Sequence, residues 1–160
     1  MLLRLLEMTG LFAGASAQEV IDALGLLPLE HEGAFWAPGP RTKNLNSIHA
    51  LITNAADGFS ALHLLTVDEG WEWLGGAPAS MLRLNQDGTG SETILDSSNT
   101  KLIVEVDVWQ GTSTLGDWTL VSCWCSPAFE WENFTLGDRD ELTAKYTEFS
   151  DRIKELTRIV

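Results

Sequence analysis

The chain has 160 residues and a formal net charge of −13, from 23 acidic against 10 basic side chains. That length suits one domain whose core needs no staples, and the 44% hydrophobic and 21% charged fractions are those of a globular protein. So acidic a composition, with no basic cluster, argues against nucleic acid and anionic membranes as partners, because both require Lys and Arg, and no apolar run reaches the ~20 residues of a membrane span.

In chain order, residues 1–17 combine one Arg, an apolar run and an Ala-Ser-Ala in the pattern of a short signal peptide, but Glu7 interrupts the run. The segment is expected as an N-terminal arm or helix that packs on the domain or on a partner subunit; Met8 is an alternative start. Residues 18–160 read as a single domain. Ser16 and Glu19 form a capping box ahead of an apolar stripe at Val20, Ile21 and Leu24, with Gly25 and Pro28 as stop signals. A strand-like Ala34-Phe35-Trp36 precedes a Pro/Gly loop.

From Ser47 the pattern turns to β. Strands are expected at 47–53, 59–65, 70–76 and 79–84, the last running into an Asp87-Gly88 turn. The stretches 92–96, 101–112 and 117–127 continue the series. Leu142, Tyr146, Phe149, Ile153 and Leu156 recur at helical spacing in the tail. No internal repeat or linker interrupts this order. Frequent short strands without βαβ alternation point to a mainly β sandwich or barrel, with helices at both ends.

Alternation within the strands sorts the polar residues. Ala61, His63 and Leu65 share one face of their strand, and Ser60, Leu62 and Leu64 the other. Glu69, Trp71 and Trp73 share a face on the next. A strand apolar on both faces is expected to be buried on both sides, as a barrel wall packed by another sheet or subunit would be. Seven Trp are either core fillers or the wall of an aromatic pocket. A lone strand His is ordinarily a core residue bonded to a carbonyl. A carboxylate beside two Trp is either a solvated turn residue or an acid with a perturbed pKa. Cys123 and Cys125 fall on one face, where a disulfide between them would be badly strained. They read as buried free thiols, which favours a reducing, cytoplasmic location.

Three blocks carry a family resemblance: LGLLPLEHEGAFW (24–36), FSALHLLTVDEGWEWLGG (59–76) and TLVSCWCSPAFEWENFTLGDRDEL (119–142). In that order they are similar to the conserved segments of the DUF985, or cupin-5, family of cupins, over about Gln18 to Tyr146. The resemblance implies a double-stranded β-helix, a jelly-roll-like barrel with short N-terminal and C-terminal helices, usually a homodimer, with a small-molecule ligand inside the barrel. This sequence departs from the family pattern at several positions. Ala34, Asp107 and Ala128 replace glycines, Glu105 replaces a proline, Ala37 and Leu64 replace arginines, and Glu72 replaces a histidine. Loss of bases and gain of acids implies a less anionic ligand, if any lost Arg held one.

Metal-bearing cupins place two His and a carboxylate on one strand pair and a further His on a later strand. Here His63 and Glu69 fit, but Leu65 and Gln110 stand where the other two ligands belong, so no metal and no other cofactor is expected. The remaining inventory suits proton transfer next to a carbonyl on a small organic molecule. His63 is the expected base, with Glu69 and His49 in support; Phe35, Trp71 and Trp73 are the expected walls, and Glu32 and Gln110 further ligand-binding candidates. The reading is a metal-independent isomerase, epimerase, cyclase or lyase, suited to a tailoring step in specialised metabolism. The alternatives are a non-catalytic ligand-binding cupin and a metal-dependent cupin enzyme.

Overall fold

The computed structural model describes residues 12–159, so residues 1–11 of the expected arm lie outside the described residues. Two antiparallel sheets face each other. The strands in chain order are Leu27–Pro28 (β1), Phe35–Arg41 (β2), Asn46–Thr53 (β3), Ser60–Leu65 (β4), Asp68–Gly76 (β5), Ala79–Leu84 (β6), Gly90–Leu95 (β7), Lys101–Val104 (β8), Trp109–Thr114 (β9), Trp118–Ser126 (β10) and Phe134–Leu136 (β11). One sheet has the order β1-β2-β3-β10-β5-β8 and the other β11-β4-β9-β6-β7. From β3 onward the chain alternates between the sheets, except at the β6–β7 hairpin. The domain is a mainly β sandwich of two antiparallel sheets with short helices at both ends.

The central strands of each sheet are buried on both faces, by different means. On β3, Ala50 and Ile52 point between the sheets and join Trp71, Met81 and Val121 in the central core. Leu51 points the other way, into a cluster with Val20, Leu74, Leu120 and Trp118. That outer cluster lies under the helix Ala17–Leu24 (α1), whose capping box is formed: Glu19 N donates to Ser16 Oγ and Ser16 N to Glu19 Oε2 at 2.7 Å. Gly25 ends the helix at φ 62°, a left-handed conformation. Phe12 packs into the same cluster, and Trp118 Nε1 donates to Ala15 O at 2.8 Å, so the end of the arm is fastened to this sheet.

The second sheet is covered by the C-terminal helices Arg139–Lys145 (α2) and Ser150–Glu155 (α3). Leu62 of β4 packs there against Leu142, Tyr146, Ile153 and Leu156, each such burial being worth roughly 1.5–3 kcal/mol. The outer apolar face of β4 is therefore explained by the chain's own tail, not by another sheet or a subunit. Among the described residues no helix is long and apolar enough to cross a membrane.

One expected strand divides. The stretch 101–112 becomes β8 in one sheet and β9 in the other, joined by a turn at Glu105–Val108. Asp107 turns the chain with φ 62°, and its N–H donates to Leu65 O at 2.9 Å. Loss of the ordinary turn residue, glycine, conceals this break in the sequence.

Candidate active site

Strand pairing brings the polar residues together. His63 of β4 lies opposite Gln110 of β9, and across the sandwich Glu69 of β5 lies opposite Cys125 of β10. His63, Glu69 and Cys125 line a cavity of about 320 Å³ between the sheets, and Gln110 stands behind Glu69. The segment 129–134 closes its mouth with Phe129, Trp131 and Phe134, whose rings meet edge to face at centroid distances of 5.1 and 5.4 Å along the row. Phe134 also stacks on His63, with centroids 5.3 Å apart and 20° between planes.

His63 is 2% exposed and sits between two carboxylates. Its Nδ1 donates to Ala61 O at 2.7 Å, since a carbonyl can only accept. Glu32 Oε1 lies 3.8 Å from Nδ1, and Glu69 Oε2 lies 3.8 Å from Nε2. Both separations exceed a hydrogen bond but are short for charge attraction in a buried site. Burial by itself would lower the imidazole pKa; the Glu32 charge, followed by the Glu69 carboxylate, outweighs it and holds His63 up at about 9.

The carboxylates are held by different means. Gln110 Nε2 donates to Glu69 Oε2 at 2.7 Å, and Trp71 Nε1 donates to Gln110 Oε1 at 2.9 Å. An indole can only donate, so Trp71 fixes which end of the amide faces Glu69. Glu32 comes from the loop ahead of β2, where His31, Gly33 and Ala34 all have positive φ, at 67°, 93° and 65°. Its backbone oxygen accepts from Ala61 N at 2.9 Å and from Arg158 Nη1 at 2.8 Å, and its side chain accepts from Ser60 Oγ. A Cβ at Gly33 would stand 2.7 Å from Phe59 O and 2.1 Å from Arg158 Nη2, so this loop needs glycine there for space as well as for conformation. Burial raises the Glu32 pKa; the imidazolium lowers it, and the Glu69 charge raises it again.

The structure thus gathers Glu32, His63, Glu69 and Gln110, with Trp71 behind Gln110 instead of on the cavity wall. It does not bring the other expected residues there. His49 projects from the opposite face of β3 to the cavity-lining Asn46 and Ile48, beside Leu51. Phe35 packs in the outer cluster under α1, and its neighbour Trp36 lines the cavity in its place. Trp73 packs on the central core with Nε1 donating to Ala77 O at 3.1 Å, away from the cavity. The period of two places one of each adjacent pair inside, but apolar residues on both faces hide which one. The sequence shows Cys123 and Cys125 as buried free thiols, as they are, but not that they line the cavity, and it gives no sign of the aromatic mouth or of Arg158. The spacing of Phe129, Trp131 and Phe134 was visible, but the irregular backbone that turns all three inward was not.

The side chains present do not suit the metal that many cupins carry. Gln110 is committed at both ends of its amide, to Trp71 and to Glu69. Leu65 supplies no donor. Cys123 and Cys125 line the cavity as free thiols, and burial, with the Glu69 charge next in size, keeps both protonated and so poor metal ligands. Among the described residues no group of three or more His, Cys, Asp or Glu is placed to hold a metal ion.

Comparison with known proteins agrees with this architecture. Residues 18–137 match the family described as Cupin superfamily (DUF985). A crystal structure of a protein from Shewanella oneidensis is similar, with TM-score 0.83 and 24% identity, over 91% of this chain and 99% of that one. A hypothetical protein from Leishmania major is similar at TM-score 0.80 and 21% identity, over 90% and 99% of the two chains. Oxalate decarboxylase from Bacillus subtilis shares the fold more distantly, at TM-score 0.56 and 11% identity, over 82% of this chain and 37% of that one. At these identities the likeness concerns the fold alone. No curated protein matches the chain.

Proposed function

The chain belongs to the DUF985 family of the cupin superfamily, and from that premise we propose that it is a metal-independent acid–base enzyme acting on a small organic molecule. The observation that supports this most is the row Glu32–His63–Glu69 facing a cavity with an aromatic mouth. A group that carries a proton and two that can accept one line the same cavity. The reaction class is an isomerisation, epimerisation, cyclisation or elimination, each of which needs a proton removed and another delivered.

The roles differ from the sequence reading in one respect. His63 is protonated in the free protein at neutral pH, so its first available move is donation, from Nε2, with Nδ1 remaining on Ala61 O. It serves as base only after that proton leaves. Glu69, oriented by Gln110, is the carboxylate placed to take a proton in the meantime.

The test is hydrogen exchange in D2O. Small carbonyl compounds are incubated with the protein and their α-carbons followed by NMR. The proposal expects deuterium wash-in with the wild type and its loss in His63→Ala. Ligands that bind and return unlabelled in both cases would support the second reading, a ligand-binding cupin without chemistry. That reading has an observation of its own: with Nδ1 on Ala61 O and Phe134 stacked on the ring, His63 is also a well-packed core residue.

A further inference from the structure

We propose that the cavity selects a small organic cation, a primary or secondary ammonium on an apolar body. This rests on the acid–base reading of the same site and names its ligand.

The cavity's charges favour it. Three carboxyl groups line the cavity, Glu32, Glu69 and Glu130, against Arg41 and His63. Arg41 is engaged by Glu130 at the rim, so the guanidinium that would receive an anion is already paired. The inner carboxylates, Glu69 buried and Glu32 half-buried, in contrast keep capacity. Gln110 occupies only Oε2 of Glu69, and Ser60 only Oε1 of Glu32; among the described residues no donor engages the other oxygen of either. An ammonium carries two or three donors, which suits a cavity lined by two carboxylates with acceptor capacity left. The walls complete the match, because Trp36, Phe129, Trp131 and Phe134 line the cavity and can cover an apolar body, and the face of an aromatic ring attracts a desolvated cation. A cavity of about 320 Å³ limits the ligand to roughly the low end of small-molecule sites.

Binding has a chemical consequence. The titratable groups that share the cavity with His63 are Glu32 and Glu69, the rim pair Arg41–Glu130, and the neutral thiols Cys123 and Cys125. A ligand cation on Glu32 and Glu69 takes over the charge that holds the imidazolium. The Nε2–H bond then breaks, its electron pair stays on Nε2 and the proton passes to solvent. The neutral imidazole left behind then serves as the base in place of the carboxylates, which hold the ligand cation. Substrate binding would arm the site.

Calorimetry with three probes of one shape tests this: benzylamine, benzyl alcohol and benzoate, at pH 7.5, in two buffers of different ionisation enthalpy. Benzylamine is expected to bind at least tenfold more tightly than either of the others and to release up to one proton. Glu69→Gln, which keeps shape and the Gln110 contact region, should weaken benzylamine at least tenfold and change benzyl alcohol less than twofold. Glu32→Gln, read the same way, serves if the first variant misfolds. Benzoate or benzyl alcohol binding as well as the amine, no binding of any of the three, or amine binding without proton release overturns the proposal. The acid–base reading fails separately: it falls if the wild-type protein washes no deuterium into the α-carbon of any carbonyl compound, whichever probe is preferred.

Discussion

At His63, two carboxylates decide the chemistry. Their charge outweighs a burial that would otherwise favour the neutral ring. Removing one should show at once. Glu32→Gln is expected to lower the His63 pKa from about 9 by at least a unit, since Glu32 is the largest of the raising influences; a unit corresponds to about 1.4 kcal/mol. The imidazole Cε1–H shift, followed by NMR across pH, reads this directly, and an unmoved midpoint would remove Glu32 from the account. Much of this site could be read from residue types. His63, Glu69, Glu32 and Gln110 were all legible in the sequence, the first two from alternation and the family pattern together, Glu32 and Gln110 from the family pattern alone. The protonation state was not. It depends on separations across three elements distant in sequence, and a spacing of six residues between His63 and Glu69 does not carry them.

At the level of elements, the sequence fails where an ordinary signal has been replaced. Asp107 and Ala34 both occupy left-handed backbone, at φ 62° and 65°, which glycine adopts without the Cβ penalty. With glycine absent, 101–112 reads as one continuous stretch and the loop carrying Glu32 shows no turn signal after Gly33. These departures carry a prediction. Ala34→Gly and Asp107→Gly should each stabilise the fold by about 0.5–1 kcal/mol, Ala34 giving the larger gain because Asp tolerates this conformation better. Urea midpoints at constant slope would measure it, and a loss of stability in both variants would contradict the strain argument. Where signals are intact the elements are legible. The Ser16–Glu19 box starts α1 as read, and Ser16→Ala is expected to cost roughly 1 kcal/mol by the same measurement. Strand phase was the harder quantity. β2 and β4 are apolar on both faces because helices cover the outside of each sheet, so alternation alone could not choose between Phe35 and Trp36.

At the scale of the molecule, the buried cluster ties folding to pH. A His whose folded pKa, about 9, lies above its unfolded value of 6.5 binds its proton more tightly when folded. Its stabilisation is complete below pH 6.5 and is lost as pH rises through 9. Glu32, also raised, acts in the same direction, because the folded state holds its proton more tightly than the unfolded chain does. The protein should therefore lose on the order of 3 kcal/mol of stability between about pH 6.5 and 9.5 from His63, seen as a falling denaturation midpoint. His63→Gln should flatten that fall. The fold class itself was legible, since the density of short strands and turns excludes βαβ architecture; what covers each sheet was not, because the covering helices come from opposite ends of the chain. The most direct test of the whole account is the titration of His63 in the unliganded wild-type protein by NMR. The account predicts an imidazolium at pH 7 with a midpoint near 9 and a retained Nδ1–H; a neutral ring at pH 7, titrating at or below 6.5, would contradict it.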